Sequence, residues 1–114
     1  MRELTKTFKA LSDRNRIRIL KMLEIKPLCV CEITDVLQLA SSTVSKHLSI
    51  LRDAEFIIDE KDGKWVNYRL NEEAKDLYVH QLLPLIRIWV SYEDIIKVDQ
   101  EKVRTVDRTQ ICGL

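Results

Sequence analysis

The stretch that most restricts the fold is Cys29 to Ala54, CVCEITDVLQLASSTVSKHLSILRDA, which reads as two short helices joined by a tight turn. In the first, Cys29 to Leu37, the residues Ile33, Val36 and Leu37 recur at helical spacing, and Glu32 stands three residues after Cys29, where a capping-box acid belongs. Leu39 and Ala40 follow, and Ser41 is placed to N-cap a second helix running to about Ala54. Val44, Leu48 and Leu51 form the inward stripe of that helix, leaving Ser42, Ser45, Lys46, Ser49 and Arg52 on its other faces. Such a helix suits a nucleic-acid groove. Small hydroxyls bond phosphates and base edges without bulk, and cations supply counterion release and guanine readout. Taken alone, an ordinary helical hairpin with a solvated face accounts for the pattern equally well.

The residues that follow shift this balance, because the periodicity changes from helical to alternating. Phe56, Ile57 and Ile58 lead into Asp59 to Lys61, Asp62-Gly63 is a strong hairpin-turn signal, and Trp65 to Leu70 return as a second strand. A two-stranded wing therefore extends from the groove helix, with Lys61 and Lys64 flanking its tip and able to grip phosphate. An isolated hairpin is marginal in water, so it must lean on the helices, with Trp65 or Tyr68 as its anchor.

Ahead of this core the spacing predicts a helix over residues 3–11 with Leu4, Phe8 and Leu11 as its apolar face. Ser12 is placed to cap a second helix, Asp13 to Leu23, with Ile17, Leu20, Met22 and Leu23 inward and Arg14, Arg16, Arg18 and Lys21 around the rest. From Asn71, read as an N-cap, a long helical region carries Ala74, Leu77, Tyr78, Leu82, Leu85, Ile88, Trp89, Tyr92, Ile95 and Ile96, with Pro84 expected to kink or interrupt it. This exceeds what so small a core can cover. A homodimer is expected, with Leu4, Phe8, Leu82, Leu85, Trp89 and Tyr92 at the interface. Residues 99–114 read as a weakly ordered tail carrying Cys112, so the domain is placed at 1–98 and the tail at 99–114.

At 114 residues the chain is expected to form one domain. Residues 1–26 carry eight Lys/Arg against three acids, whereas residues 70–114 carry six against eight, which suits a nucleic-acid face opposite an acidic region. Charge interrupts the first twenty residues and no later run stays apolar long enough to span a bilayer, so a cytoplasmic protein without membrane attachment is expected. An odd count of three cysteines in such a compartment reads as thiols or metal ligands rather than as a disulfide framework.

Helix, helix, helix-turn-helix, strand, strand, helix is the order of a winged helix-turn-helix, mainly α with a small β-hairpin (ααααββα). In detail the chain resembles the ArsR/SmtB family of winged-helix metal-responsive repressors over roughly residues 3–98. The resemblance is carried by Phe8 to Asp13 with Arg16 and Ile17, by Ser42 to Leu48 with Leu51, by Gly63 to Val66 with Tyr68 to Leu70, and above all by Leu28-Cys29-Val30-Cys31-Glu32. The last run is similar to the inducer signature of the family's arsenic-responsive members. The resemblance implies a dimeric transcriptional repressor, not an enzyme, that leaves its double-stranded operator DNA when trivalent arsenic or antimony is captured by cysteine thiolates. It implies arsenite or antimonite as inducer, no organic cofactor and no other protein partner. Groove and phosphate contacts are expected from Ser42, Thr43, Ser45, Lys46, His47, Ser49, Arg52, Lys61 and Lys64.

Two positions depart from the family pattern. Founding members of the subgroup often carry a third cysteine three residues after the second, where this chain has Thr34, and relatives usually end the groove helix with a glycine, where it has Glu55. The metal site is therefore expected at Cys29 and Cys31, with Cys112 of the same or the partner subunit, a small-molecule thiol, or hydroxide as third ligand. Cys29 at the N-cap and Cys31 two residues on both sit in the positive field of a helix N-terminus, which is expected to lower their thiol pKa. Residues i and i+2 of a regular helix point about 200° apart, so shared capture of one ion must distort the first turn. His47 is expected to hydrogen-bond at the helix junction or to phosphate. Asp76 and His80, one turn apart, fall short of an interfacial zinc site. A cadmium- or lead-responsive repressor, a redox-sensing repressor using the same cysteines, and a thiol enzyme are the alternative classes.

Overall fold

A computed structural model of the chain describes residues 1–111. Its elements run α1 (Arg2–Leu11), α2 (Arg14–Leu23), α3 (Val30–Leu37), α4 (Ser41–Asp53), β1 (Ile57–Asp62), β2 (Trp65–Leu70), α5 (Leu77–Ile88), α6 (Asp94–Thr105) and α7 (Arg108–Ile111). The expected order holds through the hairpin, and the single terminal helix becomes three.

The side chain that starts α2 is Asp13, not Ser12. Its carboxylate accepts from the backbone N–H groups of Asn15 (2.8 Å) and Arg16 (3.2 Å). Burial alone would raise the Asp13 pKa. Those two N–H donors, with the charges of His47 and Arg16, more than offset it and hold the carboxyl below its ordinary value. The buried face of α2 comprises Ile19, Leu20, Met22 and Leu23, and Ile17 is only half-buried. Lys21, expected outside, is wholly buried. Its ammonium donates to the carbonyls of Ile86 (2.8 Å) and Arg87 (3.1 Å) and to Ser91 Oγ (3.1 Å), and pairs with Glu24 at 2.8 Å. On α1 the inward residues are Thr7 and Ala10; Phe8 is 54% exposed, and Leu4 and Leu11 are half-buried.

Helices α3 and α4 pack on each other, α4 also on α2 and α3 on α6. Ile33, Val36 and Leu37 of α3 and Val44, Leu48 and Leu51 of α4 are buried as the spacing predicts. The N-cap of α4 is Ala40, with Ser41 the first helical residue. Past its end, Glu55 adopts a left-handed φ of 69°, which explains why glycine is the usual residue there. The strands pair antiparallel from Ile57↔Leu70 to Asp62↔Trp65, and the two-residue turn places Gly63 at φ 62°. Phe56, Ile57 and Leu70 bury the base of this wing, and Tyr68 exchanges two backbone hydrogen bonds with Leu28 (2.8 and 3.0 Å). Tyr68 is thus the anchor of the two aromatic candidates.

The C-terminal half corrects three expectations. First, Asp76 and not Asn71 caps α5, accepting from Val79 N–H at 3.0 Å, while the Asn71 side chain donates to the Glu55 carbonyl. Second, α5 continues through Pro84 to Ile88. His80, whose carbonyl loses its donor to the proline, is on the exposed side where water can replace it. The helix breaks instead at Val90, with φ 52°, where Lys21 satisfies the last carbonyls. Third, residues 99–105 belong to α6. Asp99 is buried against Arg18 in a two-pronged pair (2.7 and 2.9 Å), Val103 is fully buried, and Gln100 donates to the Lys21 carbonyl at 2.9 Å. Val79, Leu83 and Ile86 form the inward face of α5, leaving Leu77, Leu85, Ile88, Trp89 and Tyr92 exposed. No helix among the described residues is long and apolar enough to cross a membrane.

Candidate functional site

The first turn of α3 is a capping box built on sulfur. Cys29 is the N-cap, its backbone N–H donates to Glu32 Oε1 at 2.9 Å, and its sulfur accepts from the Glu32 backbone N–H. Burial dominates the chemistry of this thiol. With the adjacent Glu32 carboxylate it raises the Cys29 pKa above the ordinary value, against the N–H bond from Glu32 and contrary to the expected lowering. The helix N-terminus is present, but Cys29 is only 4% exposed, so desolvation wins. Cys31 is half-buried and lines an open cavity of ≈ 480 Å³ together with Val30, Thr34, Asp35, Leu39 and Ile111. The two cysteines thus differ in setting, one in the core and one on a cavity wall. The hydroxyl of Thr34 is buried and has no hydrogen-bond partner among the described residues. Cys112 lies outside the described residues.

Helix α7 packs directly on α3. Lys26 Nζ donates to the Val106 carbonyl at 3.2 Å, and Asp107 accepts from Thr109 N–H at 2.9 Å, starting the turn that brings Ile111 to the cavity. Arg108 leaves this strap in the opposite direction. It donates to Asn67 Oδ1 (2.7 Å) and Asp62 Oδ2 (2.8 Å) of the wing, and its guanidinium carbon lies 4.8 Å from the centre of the Trp65 ring. Nothing in the sequence links these residues, because the pairs are 41 and 46 positions apart.

Of the expected DNA-facing residues, Ser42, Thr43, Ser45, Lys46, Ser49 and Arg52 are exposed on α4, and Lys61 and Lys64 are exposed near the wing tip. Arg52 is paired with Asp59 at 3.5 Å. His47 is half-buried at the helix junction, where its Nδ1 faces Arg16 Nη1 at 3.1 Å. Arg16 also donates from Nε to the Ala10 carbonyl (2.8 Å) and from Nη2 to the Lys9 carbonyl (3.1 Å). It ties the end of α1 to α4, a bracing role that its place among four cations of α2 does not reveal. Asp76 is used as a cap and His80 is exposed; among the described residues no group of three or more His, Cys, Asp or Glu is placed to hold a metal ion.

A profile of the arsR family of bacterial regulatory proteins matches residues 13–59. Over 104 residues the chain is 34% identical to the arsenical resistance operon repressor of Escherichia coli (strain K12), a match covering 89% of this chain and 79% of that protein. The chain belongs to the ArsR family. It is also 38% identical over 89 residues to the arsenical resistance operon repressor of Bacillus subtilis (strain 168), covering 76% of this chain and 85% of that one. Among solved structures, HlyU from Vibrio cholerae N16961 matches with a TM-score of 0.63 at 28% identity, over 76% of this chain and 91% of that chain. This ArsR-family chain is a DNA-binding transcriptional repressor with a winged helix-turn-helix fold, and membership of a family of regulators sets the thiol-enzyme class aside.

Proposed function

We propose that this repressor leaves its operator when trivalent arsenic or antimony is captured by Cys29 and Cys31, with Cys112 as the third thiolate. One observation carries the reading: the two cysteines bracket the first turn of α3, and the cavity that Cys31 lines is bordered by Ile111, next to Cys112 in sequence. Soft thiolates suit a thiophilic ion, and three donors suit its trivalent state. The names of the E. coli and B. subtilis relatives, both arsenical resistance operon repressors, support the same inducer class.

Capture by both thiols draws Cys29 out of the core and opens the capping box. That box fixes the start of α3, and α3 packs against α4. The inducer thereby acts on the element that positions the groove helix, a local change with a two-state readout. The DNA face comprises Ser42, Thr43, Ser45, Lys46, His47, Ser49 and Arg52 with Lys61 and Lys64 of the wing. The exposed apolar residues of α5, with Leu4 and Phe8 of the neighbouring α1, form the contact between two copies, giving a cytoplasmic homodimer on a two-fold operator.

The test is fluorescence anisotropy of the protein–operator complex titrated with arsenite under reducing conditions. Wild type is expected to dissociate, Cys29→Ser and Cys31→Ser to stay bound, and Cys112→Ser to respond weakly. A wild-type complex unmoved by arsenite but released by peroxide and restored by reductant overturns the metalloid reading in favour of a redox sensor.

A further inference from the structure

The C-terminal strap joins two places that the functional reading leaves separate, the cysteine-bearing turn and the tip of the wing. Its α7 segment rests on α3, and its Arg108 side chain reaches the wing. At the tip, Asp62 is an exposed carboxylate beside Lys61 and Lys64, the cations placed to meet phosphate. A bare carboxylate there opposes DNA binding, since like charges beside a phosphate repel. Arg108 neutralises it at 2.8 Å, is held in place by Asn67 and covers the Trp65 ring. Its charge also lies within electrostatic reach of the Glu32 carboxylate, which closes the capping box on Cys29.

We propose that Arg108 is the positioning residue that couples the α3 turn to the wing: docked on Asp62, Asn67 and Trp65 it makes the wing tip acceptable to operator phosphate, and displacement of the strap exposes Asp62 and expels the DNA. This rests on the reading of Cys29 and Cys31 as inducer ligands, because distortion of the α3 turn is what moves the strap packed on it. The coupling uses an ordinary surface ion pair at a decisive position. Exposed pairs contribute little to stability, so Arg108 serves binding rather than folding.

The experiment measures operator affinity by anisotropy for wild type, R108A, D62N and the double variant, each with and without arsenite, and arsenite binding to the free proteins. Without arsenite, R108A is expected to bind operator roughly tenfold more weakly, D62N to bind like wild type, and R108A with D62N to recover to within about threefold. A coupling of the usual size is 5- to 150-fold; the double variant is expected to lose at least four-fifths of the wild-type release factor on a fold-change basis while still binding arsenite. If R108A binds operator within twofold of wild type, the proposal is overturned and Arg108 has no part in DNA binding; if D62N fails to restore R108A, it is overturned and Arg108 is a direct phosphate contact instead. If arsenite leaves wild type on the operator, the inducer reading falls, whereas the effect of Arg108 on the wing tip is still decided by the titrations without arsenite.

Discussion

At the scale of single residues, two side chains sit where another chemistry is expected, and each has a measurable consequence. Glu55 holds a φ of 69°, a conformation that costs an L-residue roughly 1–2 kcal/mol and glycine little. Glu55→Gly is therefore expected to stabilise the fold by about 1 kcal/mol in urea unfolding, after allowing for the greater freedom of glycine in the unfolded chain. Operator affinity should stay within twofold; destabilisation instead would mean that the Glu55 side chain has a role its exposure conceals. Cys29 is the second case. Its pKa lies above the ordinary 9.0, so between about pH 6 and 8 the thiol is protonated, and only a further rise toward the raised value ionises it. A divalent ion such as cadmium must displace that proton, and its affinity should climb about tenfold per pH unit for each proton displaced. Arsenous acid differs, because each hydroxide it loses leaves with the thiol proton as water, and no net proton is released. Competition titrations at pH 6, 7 and 8 should show cadmium affinity rising while that of arsenous acid stays level. A level cadmium curve would show that Cys29 is already ionised and that burial does not govern it.

At the scale of elements, legibility followed how local the cause is. The hairpin of α3 and α4 was readable because caps and stripes lie within a few residues of what they explain: Glu32 closes the box on Cys29, and Val44, Leu48 and Leu51 face the core. The place of Cys29 and Cys31 at the start of α3 and the turn at Gly63 were legible for the same reason. The break in the terminal region was not, because Pro84 advertises an interruption that the helix does not make, while Val90 carries no punctuation at all. Its cause is Lys21, more than sixty residues earlier, an ammonium sealed inside α2 that terminates α5 by bonding its last carbonyls. A lysine flanked by apolar residues reads as a snorkelling surface cation, so nothing local revealed this one. Lys21→Met keeps the stem and removes the charge, leaving two carbonyls without a donor and Glu24 without its cation. It is expected to destabilise the protein by about 3 kcal/mol and to loosen residues 86–93 in hydrogen exchange. A loss below about 1 kcal/mol would indicate that water fills the place of the ammonium. Arg18 with Asp99, and Arg108 with Asp62, were illegible for the same reason as Lys21, since ion pairs across the fold leave no periodic trace.

At the scale of the whole molecule, the apolar surface is distributed as a protein made to be paired would have it. Ile88 is 72% exposed, Tyr92 76% and Phe8 54%, and α1 packs beside α5, so these residues gather on one side of the chain. The residues the sequence marked as a terminal apolar face are largely these outward ones, while Val79, Leu83 and Ile86 fill the core. The surplus of apolar surface was thus legible in the sequence, whereas the residues of α5 that turn inward, Val79, Leu83 and Ile86, were not. Water in contact with it costs roughly 25 cal/mol per Å², so a second copy is the occupant that a symmetric repressor supplies. Placing charge there, as in Ile88→Glu with Leu85→Glu, should leave the core unaffected and the monomer folded by circular dichroism. Sedimentation equilibrium at about 10 μM should find wild type dimeric and the variant monomeric. Operator affinity should fall by at least about two orders of magnitude, the loss expected when two half-site contacts are no longer linked. Dissociation of the dimer should leave arsenite binding intact if all three thiolates belong to one chain and abolish it if Cys112 is supplied by the partner. The same variant therefore separates ligation within a subunit from ligation across the interface. A wild type that sediments as a monomer while binding operator at full strength would require the exposed face of α5 to serve some other contact.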